Sequence, residues 1–127
     1  MIYSYVNSSI SKGDIIAFLA SGDIVKCRKF DKAIVCAVDS YYKVDDDIYK
    51  CIVVTDIGQE FNPSKFIKQT RYYLDSCYIF VSLGGTVLKI NDDKTIEGFN
   101  EYKINKTEIK EIEFISDCMS IRIFGES

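Results

Sequence analysis

Ser11–Gly22 reads SKGDIIAFLASG, and the fold class turns on what this stretch becomes. Ser11 with Asp14 three residues on offers an N-terminal cap, Ile15, Ile16, Phe18 and Leu19 are spaced for one helical face, and Gly22 stands where a helix would end. The pattern predicts a short helix from about Lys12 to Ser21.

Downstream, Asp23 to Phe30 alternates loosely, and Ala33 to Val38 (AIVCAV) is apolar on both faces, as in a strand covered on both sides. The latter is the expected centre of the sheet. The polar turn Asp45, Asp46, Asp47 then leads into Ile48 to Thr55. There Ile48, Lys50, Ile52 and Val54 fall on one face and Tyr49, Cys51 and Val53 on the other, which predicts a hairpin.

Asn62-Pro63-Ser64 carries a helix-start signal, since Asn caps and Pro at the first position gives up only an amide that had no partner. A second helix would gather Phe66, Ile67, Thr70, Tyr73 and Leu74 on one face, with Lys65, Lys68, Arg71 and Tyr72 on the other. Beyond Asp75 the chain reads as a meander: Cys77 to Leu83, a Gly84-Gly85 turn, Thr86 to Asn91, an Asp92-Asp93 turn, and Thr95 to Phe99. Ile112 to Ile115 and Met119 to Phe124 alternate like a final hairpin. Asn105, Glu108, Ile109 and Ile112 also suit a helix start, and strand is the preferred reading. The expectation is one α+β domain over residues 1–127, with two short helices and a mostly antiparallel, strongly curved sheet that could be partly closed into a barrel.

At 127 residues the chain can bury roughly two-thirds of its unfolded surface and needs no disulfide or metal to fold. The N-terminus lacks a basic region followed by a long apolar run, and no apolar run reaches bilayer-spanning length, so a cytoplasmic protein is expected. Cys27, Cys36, Cys51, Cys77 and Cys118 are then expected to be reduced thiols, mostly packed as small hydrophobes. Abundant Ile, Lys, Asp and Tyr with one Pro and no Trp or His resembles translation of an AT-rich genome, such as that of a low-GC bacterium or its phages.

The absence of histidine removes Ser-His-Asp and Cys-His pairs, an imidazole base and imidazole metal ligands. No CxxC pair is present, the glycines match no phosphate-cradling loop, and Asp45 to Asp47 lacks the Gly and terminal Glu of a calcium loop. No catalytic residue set, metal site or cofactor is expected. Carboxylates alone could run acid–base chemistry, but spacing places no two of them together.

Two surfaces suit recognition. One is basic and aromatic: Lys26, Arg28, Lys29 and Lys32 near Tyr41, Tyr42, Lys43 and Lys50, with Lys65, Lys68 and Arg71 on the expected second helix. Tyrosine stacking with lysine or arginine on phosphates is how single strands are held. The other is acidic: the Asp45 to Asp47 and Asp92-Asp93 turns, joined by Glu97, Glu101, Glu108, Glu111 and Glu113, with Tyr41, Tyr42, Asp45, Asp46, Asp47 and Tyr49 as the interface candidates at one hairpin end. With a net charge of −3 and a pI near 5.0, this second surface points to a larger protein partner with a basic surface. The expected function is a non-enzymatic inhibitor of the immunity or phage anti-defence type, which binds and blocks another protein. Single-stranded nucleic-acid or nucleotide binding through Lys26, Arg28, Lys65, Lys68 and Arg71 is the alternative. A homo-oligomer through an exposed sheet edge is compatible with either.

Overall fold

The computed structural model of the chain describes residues 2–7, 9–71, 74–82, 87–90, 101–109, 111–114, 117 and 120–126. Within them Ile15–Phe18 is a β-strand and not a helix. Ser11 and Asp14 do interact, but as a turn: the Ser11 amide donates to Asp14 Oδ2 (2.9 Å) and the Asp14 amide to the Ser11 carbonyl (3.0 Å). Gly13, at φ 89°, takes a conformation that side-chain-bearing residues avoid, and its amide donates to the Phe114 carbonyl (2.8 Å). That bond directs the chain into a sheet. All four residues of Ile15–Phe18 are buried, so the apolar run reflects a strand covered on both faces and not one face of a helix. Two adjacent β-branched isoleucines favour the same outcome.

The described residues form two sheets. The larger has seven strands, in spatial order β6-β5-β4-β3-β2-β10-β8. These are β2 (Ile15–Phe18), β3 (Ile24–Lys29), β4 (Tyr41–Val44), β5 (Asp47–Cys51), β6 (Phe66–Gln69), β8 (Val87–Ile90) and β10 (Glu111–Phe114). All its pairings are antiparallel except β3 with β4, so the sheet is mixed. The smaller sheet, β1-β11-β7-β9, is wholly antiparallel and joins β1 (Ile2–Asn7), β7 (Leu74–Ser82), β9 (Glu101–Ile109) and β11 (Ser120–Glu126).

This architecture corrects the expected fold class. No α-helix occurs among the described residues; the one helical element is a 3-10 turn, Pro63–Lys65. The sheet does not close into a barrel, and strong curvature is not supported. The cap signal at Asn62 is real, because its Oδ1 accepts from the Ser64 amide (3.0 Å) and Pro63 takes the first position. A cap fixes where a turn starts but not how long it runs. Phe66 is already extended (φ −137°, ψ 157°) and begins β6, whose backbone bonds come from β5.

Ala33–Val38, the expected sheet centre, is a loop. Its one ladder contact is the bridge between Cys36 and Thr55, and it is β2 that is buried on both faces. Asp31 turns the chain before the loop, its Oδ1 accepting from the Ala33 amide (2.8 Å), and Asp39 at φ 69° turns it again on leaving. The β4–β5 hairpin forms around Asp45 and Asp46 as the polar run suggests. The C-terminal strands form, but with other partners. β7 and β8 lie in different sheets, and β10 pairs with β2 and β8 while β11 pairs with β1 and β7. Gly84-Gly85, Asp92-Asp93 and Thr95 to Phe99 lie outside the described residues. No helix among the described residues is long and apolar enough to cross a membrane.

Two buried clusters sit on opposite faces of the larger sheet. Ile15, Ala17, Cys27 and Ile48 pack with Val25 and Tyr41 on one. Cys36, Tyr42, Cys51 and Phe66 pack with Phe30, Ile34, Tyr49 and Phe61 on the other.

Candidate interaction surface

The structure separates the six residues expected at an acidic, tyrosine-rich surface. Tyr42 is buried, and its hydroxyl accepts from the Ala37 amide (2.9 Å). Tyr49 lies against Phe61, ring centres 4.9 Å apart, and Tyr41 packs on the Ile15–Ala17 cluster. Asp47 faces Lys68 at 3.5 Å. Asp45 and Asp46 are left exposed at the hairpin tip. The tyrosines thus support the sheet and its loops, with little of their surface available to a partner.

The basic candidates are dispersed as well. Lys26 faces Asp14 (3.9 Å), Lys68 faces Asp47, and Lys65 Nζ donates to Gln59 Oε1 (3.2 Å). Arg71 is not on an exposed helix face but follows β6, with its guanidinium 8% exposed against Glu111. Arg28 alone of the five is exposed without a carboxylate among the contacts shown. Beyond these five, Lys29 pairs with Glu113, Lys32 with Glu60, Lys43 with Glu111 and Lys50 with Asp39. Carboxylates from β10 and the loops therefore occupy much of the charge that phosphates would need.

A third surface was not anticipated. The loops 31–40 and 52–60 lie side by side, tied by Cys36 N–H to Thr55 O (2.9 Å), Thr55 N–H to Cys36 O (3.1 Å) and Gly58 N–H to Lys32 O (2.6 Å). Two more bonds, Asp39 N–H to Cys51 O (2.8 Å) and Cys51 N–H to Ser40 O (2.9 Å), fasten them to the end of the β4–β5 hairpin. Cys36 and Thr55 face inward and are buried. Val35, Val38, Ile52, Val53, Val54 and Ile57 are instead 41% to 65% exposed. Antiparallel continuation of the bridge sets Ala37 opposite Val54. The same two loops carry Asp31, Asp39, Asp56 and Glu60 against Lys32, a net charge of −3.

Scattered exposed aliphatics are ordinary, but six on two fastened loops make an apolar lobe that also carries acidic residues. It lies at the far end of the hairpin from Asp45 and Asp46, roughly 13 Å away over four strand residues. The sequence did hold a signal for it in Ile52-Val53-Val54, where the alternation of β5 gives way to consecutive apolar residues.

The thiols offer no reactive centre among the described residues. Burial pushes Cys27 up to about 12, with Arg71 and Lys43 opposing the shift and Glu111 and Asp14 adding to it. Burial also raises Cys36 and Cys51. A thiol that high is protonated at neutral pH and a poor nucleophile. Because its folded pKa exceeds the unfolded value of 9.0, Cys27 stabilises the fold fully below pH 9 and loses that contribution as pH rises toward 12. Two results are expected: Cys27 stays unalkylated by iodoacetamide at pH 8 in native protein, and Cys27→Ala flattens the alkaline fall in stability. Rapid labelling of Cys27, read by peptide mass spectrometry, would contradict the burial. No group of three or more Cys, Asp or Glu side chains suited to a metal ion occurs among the described residues. Comparison with protein-family models, with curated proteins and with solved structures finds no match for this chain.

Proposed function

We propose that the chain acts by binding and blocking another protein, and that it docks through the apolar lobe of loops 31–40 and 52–60. The observation that carries this reading is the set of six exposed aliphatic side chains held on a hydrogen-bonded frame. Burying such a patch is favourable in proportion to its apolar area, and a fixed backbone lowers the ordering cost of binding. The acidic residues on the same loops suit a partner whose own apolar patch is bordered by lysine and arginine, with complementary charge steering the encounter. The nucleic-acid reading has less support, because carboxylates already engage most of the basic candidates.

The test is capture from nuclease-treated lysate of the cells that make the protein, using wild type, Val53→Asp/Ile57→Asp, and Asp45→Asn/Asp46→Asn/Asp47→Asn. A stoichiometric protein retained by wild type and by the hairpin variant, but held about tenfold or more weakly by the lobe variant, is the expected result. Both lobe positions are exposed, so the melting temperature should barely move. Loss with the hairpin variant and retention with the lobe variant would return the site to Asp45–Asp47. Recovery of nucleic acid from untreated lysate, with no protein partner after nuclease, would overturn the proposal.

A further inference from the structure

The end of β3 and the turn into β2 frame an open pocket of about 220 Å³. Lys12, Gly13 and Asp14 line it from the turn, Arg28 and Lys29 from the strand, and Asp31 and Ile34 from the loop that follows. The register that sets Ile15 opposite Cys27 continues to Asp14 opposite Arg28, so the two chain segments meet here as neighbours. Gly13 leaves its side of the pocket clear, since a Cβ there would meet nothing within 4 Å. At roughly 30 Å³ per molecule the space holds about seven waters, which suits a metabolite of a few heavy atoms and is too small for a nucleotide.

The charges around the pocket are mixed and balanced. Lys29 lies 2.5 Å from Glu113, Asp14 Oδ2 accepts from the Ser11 amide (2.9 Å) and faces Lys26 at 3.9 Å, and Asp117 Oδ1 accepts from the Lys12 amide (2.6 Å). With these neighbours counted, four cations (Lys12, Lys26, Arg28, Lys29) stand against four carboxylates (Asp14, Asp31, Glu113, Asp117). A bare anion in the pocket would meet Asp14 and Asp31, and a bare cation would meet Lys12 and Arg28, so either would lose water for a partly repulsive wall. Three of the lining groups have no ionic partner among the described residues: the exposed Arg28 guanidinium, the Lys12 ammonium and the Asp31 carboxylate, whose Oδ1 accepts only from the Ala33 amide (2.8 Å). Arg28 offers the planar fork that takes both oxygens of a carboxylate, and Asp31, three residues on, accepts from an ammonium. A ligand that carries both groups on one carbon, and no net charge, matches this wall where a simple ion does not.

We propose that this pocket binds a small free α-amino acid, its carboxylate taken by Arg28 and Lys12, its ammonium by Asp31, and a short apolar side chain resting on Ile34. Asp31 and Ile34 belong to loop 31–40, but neither is among the exposed aliphatics of the lobe, and the inference does not rest on the function proposed for it.

The chain has three arginines, Arg28, Arg71 and Arg122, so its arginine Nε–Hε region in a ¹⁵N–¹H spectrum holds three side-chain signals. Titrating wild-type protein with L-alanine and separately with L-valine, in mildly acidic buffer, should shift the Arg28 signal saturably with at least one of them and leave the buried Arg71 signal in place. Acetate and ethylammonium, which carry one of the two charges each, should bind about tenfold or more weakly than that amino acid. Asp31→Asn keeps the oxygen that accepts from the Ala33 amide and removes only the charge, and it should weaken binding about tenfold, as should Arg28→Gln at its exposed position. Both variants should melt close to wild type, because neither position is buried. An Arg28 signal that responds to neither amino acid, acetate that binds as tightly as the amino acid, or full affinity in Asp31→Asn overturns the proposal.

Discussion

Glu111→Leu is expected to destabilise the protein by about 3–5 kcal/mol, the cost of leaving buried charges without their counter-charge. Glu111 is 16% exposed and serves two cations at once, Arg71 at 8% and Lys43 at 20% exposure. Removing it leaves both without their shared counter-charge, and Arg71 is the more buried of the two. The triple variant Lys43→Met/Arg71→Met/Glu111→Leu should recover most of the loss, because apolar groups of similar volume need no pairing. Urea unfolding of the two variants beside wild type measures both effects. A Glu111→Leu loss below about 1 kcal/mol would place the three charges in the screened regime of surface ion pairs.

Phe66→Ala is expected to cost a similar amount, about 3–5 kcal/mol, through a cavity the surroundings cannot fill. Phe66 is 6% exposed. Its ring centre lies 4.9 Å from Phe61, 6.2 Å from Tyr42 and 6.4 Å from both Phe30 and Tyr49. It also packs with Cys36 and Cys51, the residues that seat the two lobe loops, so its loss should make both thiols open to alkylation well below the unfolding midpoint. Phe66→Leu, which refills much of the volume, should lose clearly less. Equal losses for the two variants, measured in urea, would show that contact with the rings and not volume sets the cost.

Features governed by neighbouring residues were readable from the sequence. The Asp45–Asp46 turn, the Asn62–Pro63 start and the strands at Ile112 and Ile121 all appear where local chemistry put them. What failed was anything decided at a distance. Ser11 with Asp14 has the same appearance as a helix cap or as a turn, and the choice is made by the carbonyl of Phe114, a hundred residues on. Alternation assigns faces but not partners, which is why the C-terminal strands were expected to pair with each other and are instead distributed between two sheets. AIVCAV was read as buried because it is apolar, yet apolar residues also make up much of any protein's surface.

The candidate sites show the same division. Lysines cluster in the sequence around Lys26 to Lys32, but the carboxylates that engage them arrive from Asp14, Glu60 and Glu113. Lys43 and Glu111 are 68 positions apart. No reading of local composition could show that the lysines of a basic stretch had already found carboxylates, or that Arg28 among them had no ionic partner among the described residues.

The pairing of β1 with β11 sets Ile2 against Glu126 and Asn7 against Ile121. A ribosome making this chain releases the partner of β1 more than a hundred residues after β1 itself, whereas β2 to β6 can pair among themselves as soon as Gln69 has emerged. Through that interval the nascent chain carries β1 as an unmatched strand, and assembly of the smaller sheet waits on the emergence of β11.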